Sequence, residues 1–185
     1  MIGTRVLFDN VAAPIIYTST NQVAVVAPFT LAGRATVRVV VEQNGVPSAV
    51  LLIPVRAARP ALFTTDSSGN GAGAILNQDF TVNTAANPSD RSSVVSLYLT
   101  GLGQTNPASV DGQVVGTIAN LVTPVTVTIN GLNAEVLYGG NAPNLVPGLA
   151  QVNVRIPAGA ISGPNTIRVT SGSATSTGNV TVFVR

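Results

Sequence analysis

The 185-residue sequence contains no cysteine, no histidine, no tryptophan and no lysine. Each absence closes a chemistry. Without Cys there is neither a disulfide framework nor a thiolate metal site, and without His or Lys no ordinary base can activate a serine or threonine nucleophile. The missing Lys also excludes crosslinks between Lys and Asn side chains. Charge is scarce as well, at 9% of residues, against roughly 25% in ordinary soluble domains. Nine arginines and seven acidic residues leave a net charge of +2. The arginines are scattered, so the pI of 9.7 reflects few charges rather than a basic patch, and no nucleic-acid footprint is expected.

Long apolar runs are missing too. No segment reaches the ~20 apolar residues of a membrane helix, so no transmembrane segment is expected. Met1-Ile2-Gly3-Thr4-Arg5 lacks the basic-then-apolar order of a secretory signal. The absence of Cys leaves the compartment open, because a β-domain with a large enough core dispenses with disulfides. A mean hydropathy of +0.43 with so few charges is unusual for an isolated monomer. Either Ser, Thr and Asn carry the solubility, or another chain covers part of the surface.

What is present is a repeat. Ala13, Tyr17, Gln22–Pro28 (Gln-Val-Ala-Val-Val-Ala-Pro) and Gly33–Val39 (Gly-Arg-Ala-Thr-Val-Arg-Val) recur in order. Their counterparts are Ala134, Tyr138, Gln151–Pro157 (Gln-Val-Asn-Val-Arg-Ile-Pro) and Gly163–Val169 (Gly-Pro-Asn-Thr-Ile-Arg-Val). The main difference is the connection from Tyr to Gln, eight residues longer in the second copy. A period-two pattern runs through both copies. In Arg34–Glu42 it places Val37, Val39 and Val41 on one face and Thr36, Arg38 and Val40 on the other. Asn44-Gly45 and Asn130-Gly131 are hairpin signals, since both tolerate the positive φ of primed turns. Further strands are predicted at Thr4–Asp9, Ala12–Thr18, Gln22–Ala27, Ser48–Arg56, Val94–Thr100, Val125–Ile129, Ala134–Tyr138, Gln151–Ile156, Asn165–Thr170 and Asn179–Val184. No window of helical period competes. The expected fold is all-β, two tandem immunoglobulin-like β-sandwich units at 1–56 and 60–185 joined by a linker at 57–59.

The two units are unequal. In the second, Pro60–Pro124 precedes the repeated part and includes the strand Val94–Thr100; in the first, nothing comparable precedes it. The first unit therefore lacks its opening strand or strands. Such a small unit without Cys is marginal alone, and a missing strand leaves sheet edges unpaired.

Several stretches, taken in order, carry a family resemblance: Ala13–Tyr17, Gln22–Pro28, Pro60–Thr64, Ala74–Asp79, Ala86–Pro88 and Leu97–Gly103, continuing through Asp111-Gly112, Ala134–Tyr138, Gly148–Pro157 and Gly163. Together they resemble the uncharacterised C-terminal domain of large secreted acidobacterial proteins of the Solibacter type. The resemblance implies tandem immunoglobulin-like repeats, similar to the IPT/TIG type, in an exported protein, and it implies no activity. The sequence departs from that pattern at its N-terminus, where the family has further strand-forming residues.

No catalytic residue and no cofactor are expected. The one weak metal candidate is a calcium-like loop with oxygen ligands at Asp66, Ser68 and Asn70; it lacks the bidentate Glu that completes such a site, Asp79 being no more than a candidate substitute, and a polar turn is the preferred reading. The favoured expectation is an extracellular or cell-surface, non-enzymatic structural subunit. It self-assembles into a filament or surface layer when a strand of a second copy completes the first unit. The expected assembly residues lie on the two end strands: Ile2, Val6 and Phe8, and Val180, Val182 and Val184. The alternatives are a passive spacer or sorting module cut from a larger secreted protein, and an adhesion module for a glycan or protein partner. The last of these would use the loop Gly139–Pro147 that carries the extra residues.

Overall fold

Val94-Val-Ser-Leu-Tyr-Leu-Thr100 alternates side chains in and out, and the fold uses it that way. Val95, Leu97 and Leu99 are each 0% exposed, while the residues between them are half-buried. The computed structural model describes residues 3–114, 116 and 118–185, and among these there is no α-helix, only strands and one 3-10 turn at Phe29–Leu31. The N-terminal region holds β1 (Thr4–Phe8), β2 (Val11–Ala12), β3 (Ile15–Thr18), β4 (Val23–Val25), β5 (Thr36–Gln43), β6 (Val46–Pro47) and β7 (Leu51–Pro54). The C-terminal region begins with β8 (Ala61–Leu62), β9 (Gly71–Ala72), β10 (Ile75–Leu76), β11 (Val94–Thr100), β12 (Thr105–Asn106) and β13 (Asn120–Leu121). It continues with β14 (Val125–Ile129), β15 (Leu132–Asn141), β16 (Leu149–Arg155), β17 (Gly163–Ser171), β18 (Ala174–Thr175) and β19 (Val180–Val184). The protein is all-β, with its sheets layered as a β-sandwich.

In the C-terminal region the strands run β10-β11-β16-β15-β14-β17-β19-β9. Ten-residue β15 joins the two layers, pairing with β14 through Leu132–Ala134 and with β16 through Glu135–Asn141. Between the layers lie Leu97, Leu99, Ile129, Val152, Val154, Ile156, Ile167, Val169 and their neighbours as one apolar cluster. A separate and smaller cluster forms in the N-terminal region around Val6, Phe8, Ala13, Leu31 and Val37.

The repeat reappears as a repeat of pairings. β1 pairs with β5 and β2, β3 with β4, and β5 with β6 and β7. Correspondingly, β14 pairs with β17 and β15, β15 with β16, and β17 with β18 and β19. Even an irregularity is shared: the ladder shifts between Ile15 and Tyr17, and again between Val136 and Tyr138. Two differences have local causes. The predicted strand Ala12–Thr18 is split into β2 and β3 around Pro14, which has no amide to give a ladder, where the second copy has Glu135 within the continuous β15. The alignment of β5 with β17 also slips by two residues. Phe8 lies opposite Val39 but Ile129 opposite Ile167, so Val39 is the counterpart of Ile167 and Val41 that of Val169. A slip of two keeps every side chain on its own face, so composition does not resist it.

The predicted linker is held in place. Arg59 donates its amide to the Gly101 carbonyl at 2.7 Å. Gly101 has φ +77°, and a Cβ there would stand 2.0 Å from the Arg59 oxygen, so both the backbone angle and the close approach require glycine. The 3-10 turn is gripped from the C-terminal side. The Phe29 amide donates to the Asp111 carboxylate at 3.0 Å, and the Gln104 side-chain amide donates to the Phe29 carbonyl at 3.1 Å.

Candidate assembly edge

The shared pairings show which ladder positions are unpaired in the N-terminal region among the described residues. In the C-terminal region β16 is flanked on both sides, by β15 and by β11, with Val152 opposite Leu97 and Val154 opposite Val95. Among the described residues its counterpart β4 pairs only with β3, in a two-stranded sheet. By the same register Val23 corresponds to Val152 and Val25 to Val154. The C-terminal pair is 0% exposed, whereas Val23 and Val25 are only half-buried. The Val26 amide donates to Pro14 at 2.9 Å on the β3 side. Alternation along the antiparallel ladder therefore turns the backbone groups of Val23 and Val25 toward the unpaired side.

A second edge repeats the contrast. β19 is closed along its outer side. Gly71 and Gly73 donate amides to the Asn179 and Thr181 carbonyls at 2.8 and 3.0 Å, and Ser89 donates to the Phe183 carbonyl at 3.0 Å. Asn83 completes the cover by imitating a strand, its side-chain oxygen accepting the Phe183 amide at 2.8 Å and its Nδ2 donating to the Phe183 carbonyl at 2.9 Å. The Asn83 side chain is fixed in turn by Asn77 at 2.9 Å, and Ser89 Oγ bonds the same Asn77 oxygen. The counterpart of β19, β7, pairs among the described residues with β5 alone, and its Leu51 and Leu52 are 59% and 67% exposed.

Between β4 and the β1–β5 sheet lies a groove of about 530 Å³. Val6, Phe8, Val23, Val25, Val39 and Val41 form its apolar wall and Ser, Thr, Asn and Gln its rim, and among the described residues no charged one lines it. Val41 is 38% exposed where its counterpart Val169 is 0% exposed. The groove is an unfilled core position, lacking what β11 supplies in the other copy.

The residues expected from sequence fall in different places. Ile2 lies outside the described residues. Val6 and Phe8 are committed to their own sheet, paired with Val41 and Val39, and they form the groove's wall instead of a spare strand. Val180, Val182 and Val184 are at most 2% exposed, inside the larger core and paired with β17. Both end strands are thus consumed by the molecule's own sheets, and the open positions are β4 and β7. At the calcium-like loop, Asp66 Oδ1 accepts the Ser68 amide at 3.1 Å, and Ser68 Oγ lies 2.8 Å from both Asp66 Oδ1 and the Asn70 carbonyl. The hydrogen bonds from Ser68 hold the Asp66 carboxyl below its ordinary value, and Asn70 Oδ1 accepts the Asn179 amide at 3.0 Å. These oxygens shape a turn that presents β9 to β19. Asp79 caps another turn, accepting from the Thr81 hydroxyl and amide. The proposed adhesion loop Gly139–Pro147 is shorter than its sequence suggests. Gly139–Asn141 belong to β15, Ala142 is 0% exposed, and a Cβ on Gly148 would stand 2.5 Å from the Val26 side chain.

The sequence predicts a hairpin of Ala74–Asn77 and Phe80–Asn83 across Gln78-Asp79 and a polar loop at Thr84–Arg91, and neither pattern signals that the Asn83 side chain will stand in for a strand. Only the structure marks Asn77, Asn83 and Ser89, as three polar residues each under 9% exposed beside an otherwise exposed turn. The chain matches no family model, and no curated protein sequence matches it.

Proposed function

We propose that this protein is a non-enzymatic structural subunit that works outside the cell or at its surface and assembles with copies of itself. Assembly occurs through the open sheet edges of the N-terminal region. One observation supports the reading: the same set of strand pairings occurs twice, and among the described residues β16 and β19 are paired on both sides whereas their counterparts β4 and β7 are paired on one. An uncovered edge pairs readily with another chain. Here it adjoins an apolar groove that a strand's alternate side chains can fill, the mode of β-augmentation. If the contact is head-to-tail and does not close on itself, it propagates a filament; closed, it gives a ring. The extracellular setting rests on the resemblance to an exported domain and on the low charge. The family resemblance and the immunoglobulin-like character of the two units are part of the same proposal.

The test is size-exclusion chromatography with light scattering over a dilution series, followed by electron microscopy of the concentrated sample. Concentration-dependent oligomers or fibres are expected, and a well-folded monomer at every concentration would overturn the reading. A second reading, the passive spacer, is favoured by the order of the repeat, in which β11 precedes β14. In that case a strand N-terminal to Thr4 fills the groove within one molecule. A chain extended at its N-terminus would then melt higher and stay monomeric.

A further inference from the structure

Resting on the reading that a strand completes the N-terminal region, we infer that β4, not β7, is the acceptor. The occupant is one antiparallel strand of a second polypeptide with the chemistry of β11: uncharged, with branched apolar residues at three alternate positions. The chain displays the occupied version of this site in its own C-terminal half. There β11 runs antiparallel to β16, with Leu99, Leu97 and Val95 opposite Ala150, Val152 and Val154. Transferred through the shared register of the β3–β4 and β15–β16 ladders, those three positions face Asn21, Val23 and Val25. Directly opposed residues of an antiparallel pair lie on the same face, so all three donor side chains point where Val23 and Val25 point, into the groove.

Charge and shape select the occupant. Among the described residues the groove wall is apolar and its rim carries no charge, so a charged side chain at any of the three inward positions would be buried there without a partner. Val-Val-Ser-Leu-Tyr-Leu-Thr, the sequence of β11, meets the requirement. β7 lacks the second half of such a site. Leu51 and Leu52 are 59% and 67% exposed, and among the described residues the groove's lining includes none from β7. Edge pairing there would supply backbone bonds without burial of alternate side chains.

The test uses the full chain and a labelled synthetic peptide copying Ser93–Thr100, read by fluorescence anisotropy and by amide exchange at Val23 and Val25. The peptide is expected to bind and to slow exchange at those two amides. A peptide with Leu97→Asp is expected to bind about tenfold more weakly or worse, as is the wild-type peptide to a Val41→Glu chain, since each buries an unpaired carboxylate. Val41→Thr, which keeps the shape and so the fold, is expected to weaken binding by a smaller factor, and Leu52→Lys on β7 to leave it unchanged. Binding abolished by Leu52→Lys but not by the Val41 variants would overturn the inference. So would a chain that self-associates while the peptide fails to bind and β4 exchange stays fast, although self-assembly itself would survive that result. Peptide binding by a chain that is monomeric at all concentrations would support the acceptor and remove the self-assembly reading. Self-association that protects β4 and is competed by the peptide would support the inference with a second copy as donor.

Discussion

The two halves of the molecule run the same pairing scheme to different ends. β16 and β4 occupy the same place in it, yet Val152 and Val154 are 0% exposed while Val23 and Val25 remain half-buried. The repeated strands themselves do not cause this. Both copies have the bulge, the hairpins and the apolar alternation. The difference comes from the non-repeated residues 60–124, which give the C-terminal copy β11 on one edge and, through β9, Asn83 and Ser89, a cover on the other. A sandwich is closed by its least repetitive part. In the N-terminal copy, among the described residues, the same strands present a groove and two edges without a second partner.

Paired substitutions break this comparison where it is strongest. Leu97→Ala deletes the centre of β11 and is expected to cost about 2–5 kcal/mol in urea unfolding. Val23→Ala, at the matching place opposite a missing strand, is expected to cost no more than about 1 kcal/mol. Equal losses would mean that the groove is already filled. Asn83→Ala removes the mimic strand from Phe183 and is expected to cost about 1–3 kcal/mol, with faster amide exchange at Phe183. Val169→Thr buries a hydroxyl in the finished core, at about 1–3 kcal/mol. Its counterpart Val41→Thr, in the open groove, is expected to stay within about 0.5 kcal/mol in the monomer.

Much of this was legible in the residues and some was not. Asn44-Gly45 and Asn130-Gly131 announced their hairpins, and all four residues have positive φ. Val94–Thr100 and Val125–Ile129 were readable to the residue because alternation and turn signals coincide. The two-residue slip between β5 and β17 was not, since a period-two pattern matches itself equally well after a shift of two. The assignment of the assembly role to Val180, Val182 and Val184 met a related ambiguity. An apolar strand near a chain end has the same sequence whether its own core or another molecule receives it. The cover over β19 was hidden because Asn83 acts through its side chain, which no strand pattern reports. The unequal surroundings of the two repeated stretches, by contrast, were visible in the sequence, where Pro60–Pro124 lies between them.

The smallest expected effect concerns acid. Asp66 and Asp79 are held below the ordinary carboxylate value by hydrogen bonds from Ser68 and Thr81, and Asp90 by its bond to Arg185. For depressed carboxyls the stabilisation is present above the unfolded value and lost as pH falls through the folded one. Stability is therefore expected to hold from neutral pH down to the usual carboxylate range and to decline below it. All three groups are exposed, so the decline should be shallow. Added salt should remove the Asp90–Arg185 share first, which urea midpoints at neutral and acid pH, with and without salt, will show. Because all three lie in the C-terminal region, the N-terminal amides should be the less affected.

Amide exchange at Val23 and Val25, measured on the full chain over a wide concentration range with Val152 and Val154 as internal references, tests the central claim most directly. Slow exchange at Val152 and Val154 throughout is expected, with fast exchange at Val23 and Val25 in dilute solution that slows as concentration rises and a second chain covers β4. Exchange at Val23 and Val25 that is as slow as at Val152 and Val154 even at the lowest concentration would contradict the account, because the N-terminal edge would then already be closed within one molecule.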